Sequence, residues 1–160
     1  VRVVDMSLLI VIRLKGQSGR KPDEEKTLEL LRLHKKFHAV LIKDSHSYKG
    51  MLQVLNNVVT WGEIDEATLA KLIEKRGYVT GGKRITLDYL KNIGYESFED
   101  LARDLITGKK KIDEIPGLKP VFRLRPPKGG FKGTIKKHFR EGGETGYRGE
   151  AINDLVLKMI

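Results

Sequence analysis

The first 64 residues alternate two kinds of apolar pattern, and that alternation restricts the fold more than any other feature of the chain. SLLIVIRLKG (Ser7–Gly16) is a β-branched, apolar run that turns polar at a glycine, the signature of a strand. GQSGRKP follows with turn residues. PDEEKTLELLRL then sets Leu28 and Leu31 at helical spacing, with Leu30 and Leu33 one residue off the seam. Pro22 and the acids Asp23, Glu24 and Glu25 suit a first helical turn, where a missing N–H costs nothing and the helix dipole favours negative charge. Phe37–Asp44 (FHAVLIKD) is a second strand, and Ser47–Val58 places Met51, Leu55 and Val58 at i, i+4, i+7. That spacing predicts a short helix, although Gly50 weakens it by about 1 kcal/mol relative to alanine. VVTWGEI (Val58–Ile64) is a third strand. Three strands in one sheet with both helices on one face bury these stripes most economically. Right-handed crossovers favour a split, ferredoxin-like β-α-β-α-β arrangement.

The middle of the chain is helical. Asp65 can cap EATLAKLIEKRG, which stops at Gly77, and Thr86 can cap LDYLKNIG, which stops at Gly94. Ser97 with Asp100 resembles a capping box for FEDLARDLITG, which stops at Gly108. A strand, PVFRLRP (Pro120–Pro126), a basic arm and a final helix, GEAINDLVLKMI, complete the chain. The expected organisation is α+β: a ferredoxin-like core over residues 1–64, a helical insertion over 65–118, and a strand, arm and C-terminal helix over 119–160.

Charge follows the same divisions. Residues 1–64 hold 11 Lys and Arg against 7 Asp and Glu, residues 65–118 hold 10 against 10, and residues 119–160 hold 10 against 4. Lys119–Arg140 contains eight basic residues and no acidic one. A formal net charge of +10 on 160 residues points to a polyanionic partner, a nucleic acid or an anionic surface. No stretch reaches the roughly 20 apolar residues of a membrane span, and Ser7–Ile12 is too short and too near the start for a secretion signal. The absence of cysteine excludes disulfides and thiolate metal sites.

Two local motifs suggest chemistry and lose to plainer readings. Gly77–Arg84 (GYVTGGKR) matches GxxxxGK, but a helix precedes it and Arg84 stands where a magnesium-binding hydroxyl belongs, so an inter-helix turn is expected. His34 and His38 are four apart, yet the helix should end between them, and no Asp or Glu partner is expected for His46 or His138. No metal, cofactor or small-molecule substrate is expected.

The arm, RPPKGGFKGTIKKHFREGG (Arg125–Gly143), reads differently from a disordered tail. Phe131, Ile135 and Phe139 recur every four residues among lysines, Gly129–Gly130 permits close backbone approach to a ligand, and a striped helix (Ile152, Leu155, Val156, Met159) tethers its far side. Cations positioned on phosphates release counterions, and aromatic rings can stack on unpaired bases. Without internal countercharge, such an arm is expected to be mobile in the free protein and ordered on RNA.

SYKGMLQVLNNVVTWGEI, RPPKGGFKG and EGGETGYRGEAINDLVLKMI resemble the archaeal form of the large-ribosomal-subunit protein thirty family, counterpart of eukaryotic large-subunit protein seven. The Lys49–Gly50–Met51 step is similar to one opening the second helix of the bacterial form, which covers only residues 7 to about 64; the remainder resembles the archaeal and eukaryotic extension. The resemblance implies a non-enzymatic, cytoplasmic constituent of the large subunit. Its partners would be the large rRNA, near the 5S rRNA and central protuberance, and neighbouring ribosomal proteins. On that basis the expected RNA contacts are Lys15, Arg20 and Lys21; His34, Lys35 and Lys36; Lys43, His46, Tyr48 and Lys49; and Arg123. From the arm come Arg125, Lys128, Gly129, Gly130, Phe131, Lys132, Lys136, Lys137, His138, Phe139 and Arg140, followed by Arg148. The alternative is a free RNA-binding or RNA-chaperone module outside the ribosome.

Overall fold

The computed structural model describes residues 8–160, so Ser7, the expected first residue of the opening strand, lies outside the described residues. β1 (Leu8–Arg13), α1 (Pro22–Leu30), β2 (His38–Lys43), α2 (His46–Val54) and β3 (Val59–Glu63) follow in the anticipated order. β1 lies between β2 and β3 and is antiparallel to both, with Ile10 opposite Leu41 on one side and Gly62 on the other. β2 and β3 are therefore parallel to each other across β1, joined by α2, which is a split β-α-β unit.

Five further helices and strands build the layer below the sheet. α3 (Glu66–Arg76) leads into a hairpin of β4 (Tyr78–Val79) and β5 (Lys83–Arg84), then α4 (Leu87–Asn92) and α5 (Phe98–Ile106). β6 (Val121–Arg123) adds antiparallel to β2, and β7 (Gly146–Tyr147) adds parallel to β3, giving the order β6-β2-β1-β3-β7. α6 (Ile152–Met159) closes the chain.

Both faces of the sheet are covered. Leu9, Val11, Val40, Ile42, Val59 and Trp61 face α1 and α2, meeting Leu28, Leu31, Leu33, Leu52 and Leu55. Ile10, Ile12, Ala39 and Leu41 face the opposite way and share one core with Leu69, Ile73, Leu101, Leu105, Phe122, Ile152 and Val156 from α3, α5, β6 and α6. A strand buried on both faces needs apolar residues at every position, which is why β1 reads LLIVI without alternation. Leu30, expected near the apolar seam of α1, is instead 65% exposed. The seam is carried by Leu28 and Leu31, and Leu33 reaches the core from the turn beyond the helix.

The caps form as the sequence indicates. Asp65 accepts from the Thr68 N–H at 2.7 Å, Thr86 from Tyr89 at 3.2 Å, and Ser97 from Asp100 at 3.2 Å. Gly77–Arg84 is not an inter-helix turn but the β4–β5 hairpin, turning through Gly81 and Gly82 at φ +94° and +77°. Its glycines serve the hairpin, and α4 does not begin until Leu87, so the strand–loop–helix of a phosphate loop is not formed there.

One glycine holds the two halves of the chain together. A Cβ at Gly62 would run into the Gly149 carbonyl, with the Ile152 side chain 3.0 Å away. Gly62→Ala is therefore expected to force β3 off the start of α6 and to cost about 1–3 kcal/mol, the usual range for overpacking. Chemical denaturation checks this; an unchanged midpoint would contradict the close approach.

Candidate nucleic-acid interface

β1 leaves the sheet at Arg13, β2 enters at His38, and β6 leaves beside it, with His38 opposite Arg123. The loop after β1, the loop before β2 and the start of the arm therefore meet at one end of the sheet. Backbone bonds stitch them together: Phe37 N–H donates to the Arg13 carbonyl at 2.7 Å and Leu124 N–H to the Phe37 carbonyl at 3.1 Å. The buried Arg13 guanidinium supports both loops, donating from Nε to the Lys15 carbonyl at 2.8 Å and from Nη1 to the Leu33 carbonyl at 2.7 Å.

This end gathers positive charge. Lys21, His34, Lys35, Lys36 and Arg123 are exposed, and Lys15 and Arg20 are half-buried. Burial lowers the Lys15 ammonium from its ordinary value, Arg20 lowers it further, and Lys136 of the arm adds to this against the pull of Glu24. Burial lowers the His38 imidazole too, reinforced by Arg123, His34, Lys35 and Arg13. Beyond burial, cations from four segments disfavour one another's charge across one surface, and an anion placed there would offset that repulsion. Arg20 is partly neutralised by Glu24 at 3.5 Å, and that carboxylate also accepts from the Lys21 N–H at 3.0 Å. His34 lies in the loop after α1 and His38 on β2, so the pair is not carried on one helix.

The arm is laid against the protein's own fold. The Arg125 and Lys128 N–H groups donate to the Met159 and Lys158 carbonyls at 3.0 Å each, and Arg125 Nη2 donates to the Ile160 carbonyl at 2.7 Å. Cations are favoured at this C-terminal end of α6. Gly129 and Gly130 then turn at φ +79° and +74°. Phe131 packs on Phe37, centroids 6.3 Å apart, at the margin of the core. Beyond it the arm doubles back: Gly133 N–H donates to Glu144 Oε2 at 2.7 Å, Glu144 N–H to the Thr134 carbonyl at 3.0 Å, and Phe139 N–H to the Thr145 carbonyl at 2.7 Å. His138 Nε2 meets Asn57 Oδ1 at 2.7 Å, and its Nδ1 lies 3.9 Å from Glu141, an acidic neighbour the sequence reading did not assign.

Arg148, expected among the RNA contacts, is turned into the protein. It is 8% exposed, ion-paired to Glu144 at 3.0 Å, and its Nε donates to Thr60 Oγ1 at 2.7 Å. Burial lowers its pKa from the usual arginine value, while the Glu144 carboxylate opposes that shift. Its guanidinium carbon sits 4.7 Å from the centre of the Phe139 ring. Arg148 is thus the latch that fastens the doubled-back arm to β3. Phe131 is likewise turned to the protein, leaving Phe139, 38% exposed, as the aromatic of the arm that reaches solvent. The sequence predicts an arm mobile in the free protein and ordered on RNA; these internal bonds give it a path along the protein's own fold.

The fourth basic segment lies elsewhere. Leu8 is opposite Lys43, so Lys43, His46, Tyr48 and Lys49 stand at the other end of the sheet from His38 and the arm. Lys49 is also paired there with Asp44 at 3.2 Å. The sequence-derived contacts therefore form two surfaces, the larger one comprising both loops, Arg123 and the outward cations Lys128, Lys132, Lys136, Lys137 and Arg140. Asn57, Arg13 and Glu144, which position this surface, were not singled out. The only local signal was the Glu144–Arg148 spacing of i, i+4.

A small, basic α+β domain whose cations converge on one end of a twisted sheet belongs to the class of nucleic-acid-binding modules. A family model described as Ribosomal protein L30p/L7e matches residues 9–59, the span from β1 to the first residue of β3. Proteins called "Large ribosomal subunit protein uL30" match almost end to end. That of Thermofilum pendens is 59% identical over 97% of this chain and 100% of its own length. That of Nanoarchaeum equitans is 49% identical with the same coverage, and that of Staphylothermus marinus 45% identical over 96% of this chain and 98% of its own. The chain belongs to the uL30 family of large ribosomal subunit proteins.

Proposed function

We propose that the chain is a structural, rRNA-binding constituent of the large ribosomal subunit, and that it docks through the basic end of its sheet and the arm. The observation that carries this reading is the direction of the charges. Lys128, Lys132, Lys136, Lys137 and Arg140 are exposed on an arm that packs through Phe131 on Phe37, next in sequence to exposed Lys35 and Lys36, while the buried carboxylate of Glu144 is turned inward on Arg148. Such a surface is built to bind and position on phosphates. Lys43 and His46 offer a lesser second contact from the far end. Residues 65–118 act as the helical layer over the sheet's lower face and meet neighbouring proteins. A position near the 5S rRNA and central protuberance rests on the family resemblance alone.

The role is binding within the cytoplasmic ribosome, and it needs no turnover. Sedimentation of cell extracts at moderate salt separates it from the free RNA-binding alternative. The tagged chain is expected to co-migrate with large subunits; its recovery only at the top of the gradient would overturn the proposal.

A further inference from the structure

The edge of β2 is left half-paired. β6 pairs with β2 only at His38, Ala39 and Val40. Because Leu124 N–H donates to the Phe37 carbonyl, the alternation of an antiparallel ladder turns the N–H and C=O of Ala39, Leu41 and Lys43 to that same side. Ala39 faces Phe122, but the pairing stops at Val121. Pro120 has no N–H to continue the ladder, and Lys119 donates instead to the Tyr78 carbonyl at 2.8 Å. The Leu41 N–H still faces the Pro120 carbonyl, so the Leu41 carbonyl and both backbone groups of Lys43 are what lacks a strand partner on that side among the described residues.

A groove of about 620 Å³ runs along this edge, between the end of α1 and the segment after α5. Leu8, Leu31, Ile42 and Ile106 are among its apolar lining, and the exposed Leu30 stands at its side. Arg32, Lys43, Lys110 and Lys111 also line it, against Asp44 and Asp113, and Asp44 is already paired with Lys49. The balance of charge is positive.

We infer that this groove receives an extended peptide from a neighbouring protein, one that alternates apolar with acidic side chains and adds as a strand to the β2 edge. The edge presents donors and acceptors at strand spacing, which another peptide backbone answers in register; an RNA backbone, whose phosphates only accept and whose donors are its 2′-hydroxyls, does not repeat that pattern. The apolar lining takes alternate side chains, and the cations select the acids between them. An unprotected edge beside apolar surface is otherwise an aggregation site, which cells avoid by covering it. The inference rests on the ribosomal reading but not on the arm.

The test uses the full chain with a benzophenone amino acid in place of exposed Leu30, assembled into large subunits. Irradiation is expected to join residue 30 to a protein segment alternating apolar and acidic residues. The amide of Lys43 should exchange at least about tenfold more slowly in the subunit than in the free chain, as hydrogen-bonded strand amides do. Lys110→Glu with Lys111→Glu should abolish the cross-link while the chain still co-sediments. A chain that co-sediments but cross-links to rRNA, to its own residues 1–7, to a second copy or to nothing overturns the groove proposal alone. Unchanged exchange at the Lys43 amide does the same. A chain that does not co-sediment overturns the ribosomal reading with it.

Discussion

Arg148→Ala is expected to destabilise the fold by about 3–5 kcal/mol, the usual cost of removing one partner of a buried ion pair. The side chains of Arg148 and Glu144 are 5% and 8% exposed, so truncating the arginine leaves a carboxylate out of water without its countercharge. It also strips the donor from Thr60 Oγ1 and the cation from beneath Phe139. The arm should loosen with it, since Glu144 holds the Gly133 N–H and the return limb pairs through Thr145. Denaturation gives the free energy, and tryptic cleavage after Lys132, Lys136, Lys137 and Arg140 reports the arm. The double substitution Arg148→Met with Glu144→Gln removes both charges and should recover a large part of the loss. A single-variant cost under about 1 kcal/mol, with the arm still resistant, would show that the latch holds nothing.

The second large effect is on RNA affinity. A surface making six to ten phosphate contacts loses roughly 10³–10⁵ in affinity between about 50 and 200 mM salt on duplex DNA, with a shallower slope on single strands. The triple variant Lys132→Ala, Lys136→Ala, Lys137→Ala should bind an rRNA fragment more weakly and flatten the salt slope by up to about one unit per lost duplex contact. These three side chains are exposed and make no ion pair among the described residues, so stability should stay within about 0.5 kcal/mol of the parent. Equal salt slopes in variant and parent would remove the arm from the interface. Phe131→Ala should behave in the opposite way, losing stability through its packing on Phe37 while leaving the slope unchanged.

The β-α-β-α-β core was legible because its signals are local. A five-residue apolar run, a proline followed by acids, and helix caps at Asp65, Thr86 and Ser97 each act within one turn of the chain. β7 was not legible. It is two residues long and pairs Gly146 with Thr60, so nothing near it in sequence encodes the partner. The burial of Arg148 was hidden for the same reason: a buried arginine and a surface arginine look alike until Thr60 and Glu144 are brought to it. The periodicity of Phe131, Ile135 and Phe139 did mark anchors, but for Phe131 the anchorage is the protein's own Phe37. The sequence marks Lys43–Lys49 as a basic segment without giving its location, which strand direction supplies. The loops after β1 and before β2 share one end of an antiparallel pair, and the loop after β2 must lie at the other. Summing charge over residues 65–118 also hid Lys109, Lys110 and Lys111, three exposed cations in a row.

The central claim is that rRNA meets the basic end of the sheet and the arm that Arg148 fastens there. Ultraviolet cross-linking of intact large subunits, with each RNA-bearing peptide sequenced to the modified residue, tests it most directly. Cross-links are expected to concentrate in residues 15–21, 34–38 and 123–140, with fewer at 43–49. A map dominated by residues 65–118 would contradict the account.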